Sequence, residues 1–526
     1  MDPVMPQIET VVMLMLENRS LDSVLGWLHQ GVTLPDEQVF PPGSSNRFNG
    51  ITPEMYNEYE GVKYAPPCGT QDQADPWRTP RWNPHEIWEH VTTQFYADGD
   101  GTLTGTPWAD PPPMTGFVRD YSDRNDGVPA ALNEVMGGFT AEQLPVLYGL
   151  AQNFAVSDRW FSSVPTETNP NRAFSVCGTS CGAVDNADAR FYDAPTLFNA
   201  LTNIKTWAVY WQYHGIADMD PILPYRNCFT EDLFPQLHAA VEHGGGSVSY
   251  YGDFLTAVRN GKPIPQFCYI EPFSSGGIGF PDGKGFLGLQ GNDYHAPAWI
   301  GQAEFDLNEL YRALRASPQW DHMLFVVTFD EHGGTWDHEP PPQALPPDQS
   351  SSRFGFDWLG ARVPMILVSP FVRPGTVFRA PAGSSYDFDH TSFLATMLKW
   401  AGIDPATAGM GERVAHAPTF DEVMSPTSFD NDLHGFTVPG FYEGQGGTKG
   451  LHLFDFDANE PSLHEFSDAV ERSSSVGDLL DRLFDSKARR SSSAPTALAH
   501  TRTRQGSSKR KSSRETGGST TREDAT

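Results

Sequence analysis

Two nearly unbroken apolar runs dominate the pattern of this chain, Ile8 to Glu17 and His322 to Phe329. Neither shows the period-2 alternation of a half-solvated strand, so both predict strands buried on two faces, as in a parallel sheet covered by helices. Arg362 to Pro370 reads the same way, and Trp207 to His214 is a further run in which aromatic residues cluster. Residues 200–275 alternate strand-like and helix-like stretches, and Glu304 to Leu314 repeats at the helical period just before the second long run. The pattern predicts an α/β protein with an open, mostly parallel sheet. Between the periodic segments, residues 30–80 are rich in Pro, Gly, Asn and acids and read as a long ordered loop or lid. Residues 81–160 read as helical in part, broken by a Gly- and Pro-rich stretch from Asp98 to Pro113. No internal repeat interrupts this order.

The residues that close the two long runs carry the candidate chemistry. The first ends at Glu17-Asn18-Arg19-Ser20; the second ends at Asp330-Glu331-His332-Gly333-Gly334, with Asp337-His338 close behind. In open α/β sheets ligands bind outside the carboxyl ends of the strands, so both clusters fall where a site is expected. Carboxylates and an amide oxygen at two such ends form a shell suited to one hard divalent cation. The competing reading is that Glu17 and Asp330 cap the helices that follow their strands.

A third segment, Pro165-Thr166-Glu167-Thr168-Asn169-Pro170-Asn171-Arg172, places a hydroxyl where the chain turns into a helix whose opening turn reads as Asn171 to Val176. Helix N-termini carry unpaired N–H groups and about half a unit of positive charge, which stabilise a phosphate or an alkoxide. Thr168 is therefore a candidate nucleophile, although a Thr before Asn-Pro also serves as an ordinary cap or turn residue. A cation at the acidic strand ends would activate such a hydroxyl and neutralise charge on a phosphoryl group. Asn171 and Arg172 are candidate donors to a phosphate oxygen; Arg172 reads equally well as a salt bridge anchoring its helix.

Together with Leu25-Gly26-Trp27, the stretch from Val146-Leu147-Tyr148 to Phe161 and the Pro170-Asn171-Arg172 motif, these segments resemble the phosphoesterase family from about residue 8 to about residue 425. That family holds bacterial phosphatidylcholine-preferring phospholipases C, plant non-specific phospholipases C and a group of acid phosphatases. The resemblance implies a three-layer α/β/α sandwich with an alkaline-phosphatase-like core and a large central sheet. It implies that Thr168 is the nucleophile and that Glu17, Asn18, Asp330 and Glu331 ligate one divalent metal ion. It further implies that His85, His295 and His390 surround the phosphoryl group, where imidazole binds its oxygens or protonates the leaving alkoxide. His332 and His338 follow as candidates for phosphate binding or for orienting the carboxylates. Leu21 replaces the family's usual Phe, and Tyr294 and Ala296 replace its usual acidic residue and proline beside His295.

What the resemblance implies is a hydrolase of phosphoric esters, most readily a phospholipase C-type diesterase working through a phospho-threonine. The alternatives are an acid-phosphatase-type monoesterase, a sulfatase-type hydrolase, which a Thr in place of Cys or Ser disfavours, and a catalytically silent binding protein. The formal charge of −30 argues against nucleic acid as a partner and against simple adsorption to anionic lipid, leaving at most peripheral membrane contact. It is compatible with a zwitterionic phospholipid whose choline sits among aromatics. The run Trp207 to His214 reads either as such a cage or as a buried strand with aromatic packing. Five cysteines, at 68, 177, 181, 228 and 268, do not form a disulfide pattern, and Cys177 and Cys181 are expected as buried residues on the helix after Thr168. Without a recognisable leader peptide or an apolar run of about 18 residues, the reading is a cytoplasmic protein, unless it leaves by a route that needs no cleaved N-terminal signal. Residues 1–435 are expected to form the catalytic domain, with 30–135 as a lid or insert and 436–486 as an extension packed on the core. From 487 onward ten Lys/Arg face three Asp/Glu in a Ser- and Thr-rich tail that cannot bury enough surface to fold.

Overall fold

The computed structural model describes residues 1–69, 77–124, 129–212, 228–273, 276–279, 286–289, 291–350, 352–431 and 433–439. The expected tail at 487–526, and all of the expected extension beyond residue 439, lie outside the described residues.

The apolar runs become the centre of one sheet. Its nine described strands are β1 (Thr10–Leu16), β2 (Val39–Phe40), β3 (Ala155–Ser157), β4 (Trp207–Trp211), β5 (Ser247–Tyr250), β6 (Phe267–Ile270), β7 (Met323–Phe329), β8 (Met365–Val368) and β9 (Thr376–Phe378). Across the sheet they lie in the order β2-β9-β3-β8-β7-β1-β6-β4-β5. β8 runs antiparallel to both its neighbours, β7 and β3, whereas the other pairings are parallel. All seven residues of β1 and all seven of β7 are buried, which is what unbroken apolar runs require of central strands.

The register between these two strands builds the site. They pair from Thr10 opposite Met323 to Leu16 opposite Phe329. Both therefore leave the sheet at the same level, and Glu17 and Asp330 follow side by side. The Asp330 N–H donates back to the Leu16 carbonyl at 3.2 Å.

The helices that matter here are α1 (Leu21–Leu25), α2 (Trp88–Tyr96), α3 (Phe117–Arg124), α4 (Pro145–Asn153), α5 (Thr168–Cys177), α6 (Ile300–Arg315) and α7 (His390–Trp400). α5 packs on α7 and α4 on α6, consistent with an α/β sandwich. The N-cap of α1 is Ser20, whose hydroxyl accepts the Ser23 N–H, so Glu17 is released from the capping role. α5 begins at Thr168, earlier than the sequence pattern predicts, because Pro170 falls in the first turn, where its missing N–H costs nothing. It ends at Gly178 in the left-handed region. Cys181 therefore lies beyond the helix and is exposed, against expectation, while Cys177 is buried; all five cysteines are free thiols.

Two other expectations sharpen. The aromatic run forms β4, with the Trp207 ring 5.0 Å from Phe198 and its indole N–H bonded to Thr202, as aromatic strand packing predicts; residues 213 and 214 lie outside the described residues. The segment read as a lid, residues 30–80, gives the main sheet its edge strand β2 and forms a separate hairpin from Asn57–Tyr59 and Val62–Tyr64. Among the described residues no helix is long and apolar enough to cross a membrane.

Candidate active site

Past the ends of β1 and β7 the two segments are laced together by backbone N–H groups and the Asp330 carboxylate. Asn18 adopts φ 61°, a left-handed conformation that Asn tolerates better than most residues. The N–H groups of Asn18 and Glu331 both donate to Asp330 Oδ1, at 3.1 and 2.7 Å, and the Arg19 N–H donates to the Glu331 carbonyl at 3.1 Å. Gly333 and Gly334 follow, each with φ 61°. A Cβ on Gly333 would stand 2.2 Å from the Asn18 carbonyl oxygen, and one on Gly334 would stand 2.3 Å from that of His85. The Gly-Gly pair is thus what lets the β7 loop close onto both neighbouring segments. Gly333→Ala is expected to lose about 1–3 kcal/mol from the strained φ alone, plus the clash with Asn18; a urea midpoint equal to wild type would show this contact to be slack.

α5 approaches from the side and inserts Arg172. Its Nη2 donates to Glu17 Oε1 at 2.9 Å and its Nε to Asp330 Oδ2 at 3.1 Å, with all three residues buried. Of the two readings of Arg172, the anchoring ion pair is therefore what the structure contains. Burial alone would lower the guanidinium, but Asp330 and Glu17 outweigh it and hold it above its ordinary value. Two acids share that one cation. Asp330 is consequently left short of positive charge, and burial pushes its carboxyl up to about 7 in spite of Arg172. Glu331 is raised well above the carboxylate range by burial, with Glu86 and Asp330 adding to it. Thr168 lies four residues before Arg172, on the same face of α5 one turn nearer its N-terminus.

Asn171 does something other than expected. Its Oδ1 accepts the Val164 N–H, and its Nδ2 donates to the carbonyls of Val164, Thr166 and Glu167 at 2.8–3.2 Å. Both amide hydrogens are spent within its own turn, so none is left for a phosphate oxygen. Its role is to brace the loop that delivers Thr168.

The histidines differ in their surroundings. His295 Nε2 faces acceptors on Asn83 and Glu86 at 3.1 and 3.2 Å, and its Nδ1 faces Glu17 Oε2 at 3.6 Å. Burial would lower this ring, but Glu86 and Glu17 outweigh it and hold it well above its ordinary value. The unusual Tyr294 is seated by its own bonds: its carbonyl accepts Arg19 Nε at 2.7 Å and its hydroxyl donates to Glu304 at 2.6 Å. His390 opens α7, with its Nε2 2.6 Å from the Asp330 carbonyl oxygen and its buried Nδ1 without a partner. His332 stands beside Glu331, Nδ1 to Oε2 3.2 Å, and burial lowers its pKa to about 4. His85 is held by Asp120, and its carbonyl lies over Gly334.

His338 belongs elsewhere. Its Nδ1 meets Asp22 at 2.6 Å, its Nε2 meets Asn49 at 3.1 Å, and the buried Arg362 bridges Asp22 and Asp337 at 2.9 Å each. Both ring nitrogens are committed to this separate buried network, so the expectation of a phosphate-binding His338 is corrected: the chain swings away from the site after Gly334.

The donor set fits a hard divalent cation. Asn18 Oδ1 and Glu331 Oε1 are buried oxygen atoms without a hydrogen-bond partner, and they belong to two of the four residues expected as ligands. Glu17 adds a second option, because its carboxylate, that of Asp293 and the His295 ring offer ligand atoms within 4.8 Å of one another. Asp330 is the most heavily engaged of the expected ligands, since Oδ1 already accepts two N–H groups and Oδ2 is bonded to Arg172.

Sequence patterns passed over several residues of this region. Arg19 is fully buried and joins three segments through the carbonyls of Thr79 and Tyr294 and its own N–H to Glu331; its place in the Glu17-Asn18-Arg19 run was the available signal. Glu86 adjoins His85 in sequence, which was a signal as well. Asp120 and Gln94, on helices α3 and α2, gave none.

The chain is similar to known proteins over most of its length. The sequence profile described as the phosphoesterase family matches residues 8–403. Non-specific phospholipase C3 of Arabidopsis thaliana is 32% identical over 441 residues, covering 80% of this chain and 74% of its own. Non-specific phospholipase C6 of the same plant is 33% identical over 433 residues, covering 80% and 72%. Phospholipase C B of Mycobacterium tuberculosis is 26% identical over 437 residues, covering 75% and 74%.

Proposed function

The chain belongs to the phosphoesterase family and is a hydrolase acting on phosphoester bonds; from that premise we propose that it is a phospholipase C-type diesterase using Thr168 as nucleophile. The observation that carries this reading is the placement of Thr168 at the first residue of α5, one turn from the Arg172 guanidinium that grips Glu17 and Asp330. The naming of the similar proteins as phospholipases C supports the choice of substrate class.

In the proposed reaction the Thr168 hydroxyl oxygen attacks phosphorus as the bond to the glycerol oxygen breaks, and water later hydrolyses the phospho-threonine. The N-terminal N–H groups of α5 face the equatorial charge. His295 supplies the proton for the leaving alkoxide; its Nε2 faces acceptors on Asn83 and Glu86, and its Nδ1 faces Glu17 at 3.6 Å. His390 suits a receiving role: its Nε2 hydrogen is committed to the Asp330 carbonyl, which leaves Nδ1 as an acceptor. His85 is proposed to bind a phosphoryl oxygen. Asn18, Glu331, Glu17 and Asp330 would hold a divalent cation, which supplies electrostatic stabilisation of charge on the phosphoryl oxygens.

The test is a side-by-side assay of the purified protein on phosphatidylcholine vesicles, glycerophosphocholine and p-nitrophenyl phosphate, with and without chelator. Release of phosphocholine and diacylglycerol, lost on chelation and regained with a divalent cation, is the expected result. Activity confined to the monoester would replace this reading by that of a phosphatase, and inactivity on all three would leave a binding protein.

A further inference from the structure

His85, in the loop before α2, His90, on α2, and Asp120, on α3, meet in one cluster. The two imidazoles stack, with centroids 3.6 Å apart and planes 20° from parallel. His90 Nδ1 lies 2.6 Å from Asp120 Oδ1, and His85 Nδ1 lies 3.3 Å from Oδ2. Two histidines and a carboxylate have the composition of a metal-binding triad, and their ligand atoms lie within 4.8 Å of one another. The ring geometry favours hydrogen bonds instead. An imidazole lone pair lies in its ring plane, so the lone pairs of two nearly parallel rings run side by side. An ion about 2.0–2.1 Å from both nitrogens would stand far out of at least one plane. The two oxygens of one carboxylate, in contrast, match two side-by-side N–H groups.

The proton positions then follow from the chemistry of the partners. Asp120 is almost fully buried; burial alone would raise its carboxyl, but the bonds from His85 and His90 outweigh that and hold it below its ordinary value. An ionised carboxylate only accepts, so each Nδ1 must carry a hydrogen. Gln94 extends the chain of reasoning from one helical turn beyond His90. Its Nε2 lies 2.7 Å from the His85 carbonyl and 2.9 Å from Asp120 Oδ2. Both are acceptors, so the amide cannot be flipped. Its Oε1 accordingly faces His332 Nε2 at 2.9 Å, and that nitrogen must carry the hydrogen.

We propose that Asp120 and Gln94 are positioning residues of the active site that fix the protons of three imidazoles at once, at Nδ1 of His85 and His90 and at Nε2 of His332. Nδ1 of His85 and Nε2 of His332 are thereby committed, and Nε2 of His85 and Nδ1 of His332 are the ring nitrogens that neither Asp120 nor Gln94 engages. The effect on turnover rests on the proposed function; the tautomers do not.

The test uses the full chain labelled with 15N-histidine, long-range 1H–15N correlation spectra, and assignment by single His→Gln variants. Wild type is expected to show Nδ1–H at 85 and 90 and Nε2–H at 332. In Asp120→Asn, Gln94 still requires an acceptor on the Oδ2 side, so the new amide NH2 is directed at His90 Nδ1. His90 is expected to switch to Nε2–H while His85 keeps Nδ1–H. The same variant should fold normally and lower kcat about 10–100-fold with little change in KM and an altered pH profile. Three results would each overturn the proposal: His85 as Nε2–H in wild type, no change at His90 in Asp120→Asn, or one tightly bound zinc ion that removes both Nδ1 hydrogens. If wild type hydrolyses no phosphoester, the proposed function fails while the tautomer spectra still decide this inference.

Discussion

Thr168→Ala is expected to lower kcat by at least about a thousandfold, since removal of a covalent nucleophile leaves only the catalysis supplied by the rest of the site. The side chain stands at the first residue of α5, after the N-cap Glu167, so alanine deletes the oxygen without removing the cap. A urea midpoint measured beside the rate separates a chemical defect from a structural one, the expected loss of stability being about 1 kcal/mol. An acid-quenched wild-type reaction should carry phosphate on the peptide containing Thr168, and the variant should not. Wild-type turnover by Thr168→Ala would remove this residue from the mechanism.

The second large effect is one of stability. Arg172→Met in chelator-treated protein is expected to cost about 3–5 kcal/mol, the usual penalty for removing one partner of a buried ion pair. Glu17 and Asp330 would then face each other in the core without the guanidinium between them. The loss has a pH signature. Burial already raises the Asp330 carboxyl to about 7, against about 3.9 in an unfolded chain, and removing Arg172 raises it further. An acid whose folded value lies above its unfolded value favours the native state when protonated. The deficit should thus be smallest near pH 5 and largest near pH 8, as read from urea midpoints at the two pH values. A deficit independent of pH would mean that the lost stability comes from packing of the arginine stem.

How much of this was legible in the sequence depended on whether a residue's surroundings were local. β1 and β7 were visible because seven consecutive buried positions leave an unbroken apolar run, and Glu17 and Asp330 stood out because an acid ends each one. The reversed direction of β8 was invisible, since burial patterns carry no polarity. β2 was hidden because two residues of strand inside a Pro- and Gly-rich segment give no period. Asn171 was misread because its partners lie within its own turn, where an amide and a ligand donor look alike. His338 was misread because sequence proximity to Asp330 suggested shared space, while Arg362 and Asp22 draw it into another network. Asp120 and Gln94 gave no signal because a polar residue on an amphipathic helix is ordinary until its partners on other elements are known.

The strand order has a consequence for synthesis. β1 is made first, yet its sheet neighbours are β6, which starts at Phe267, and β7, which starts at Met323. At about 5–20 residues per second, a ribosome needs roughly tens of seconds to supply the first of them. Throughout that interval a seven-residue hydrophobic segment with open hydrogen-bonding edges has no native partner, the condition under which nascent chains aggregate. Production of this protein is therefore governed by how well that segment is shielded during translation, and co-expressed chaperones should raise the soluble yield more than any change made at the catalytic centre.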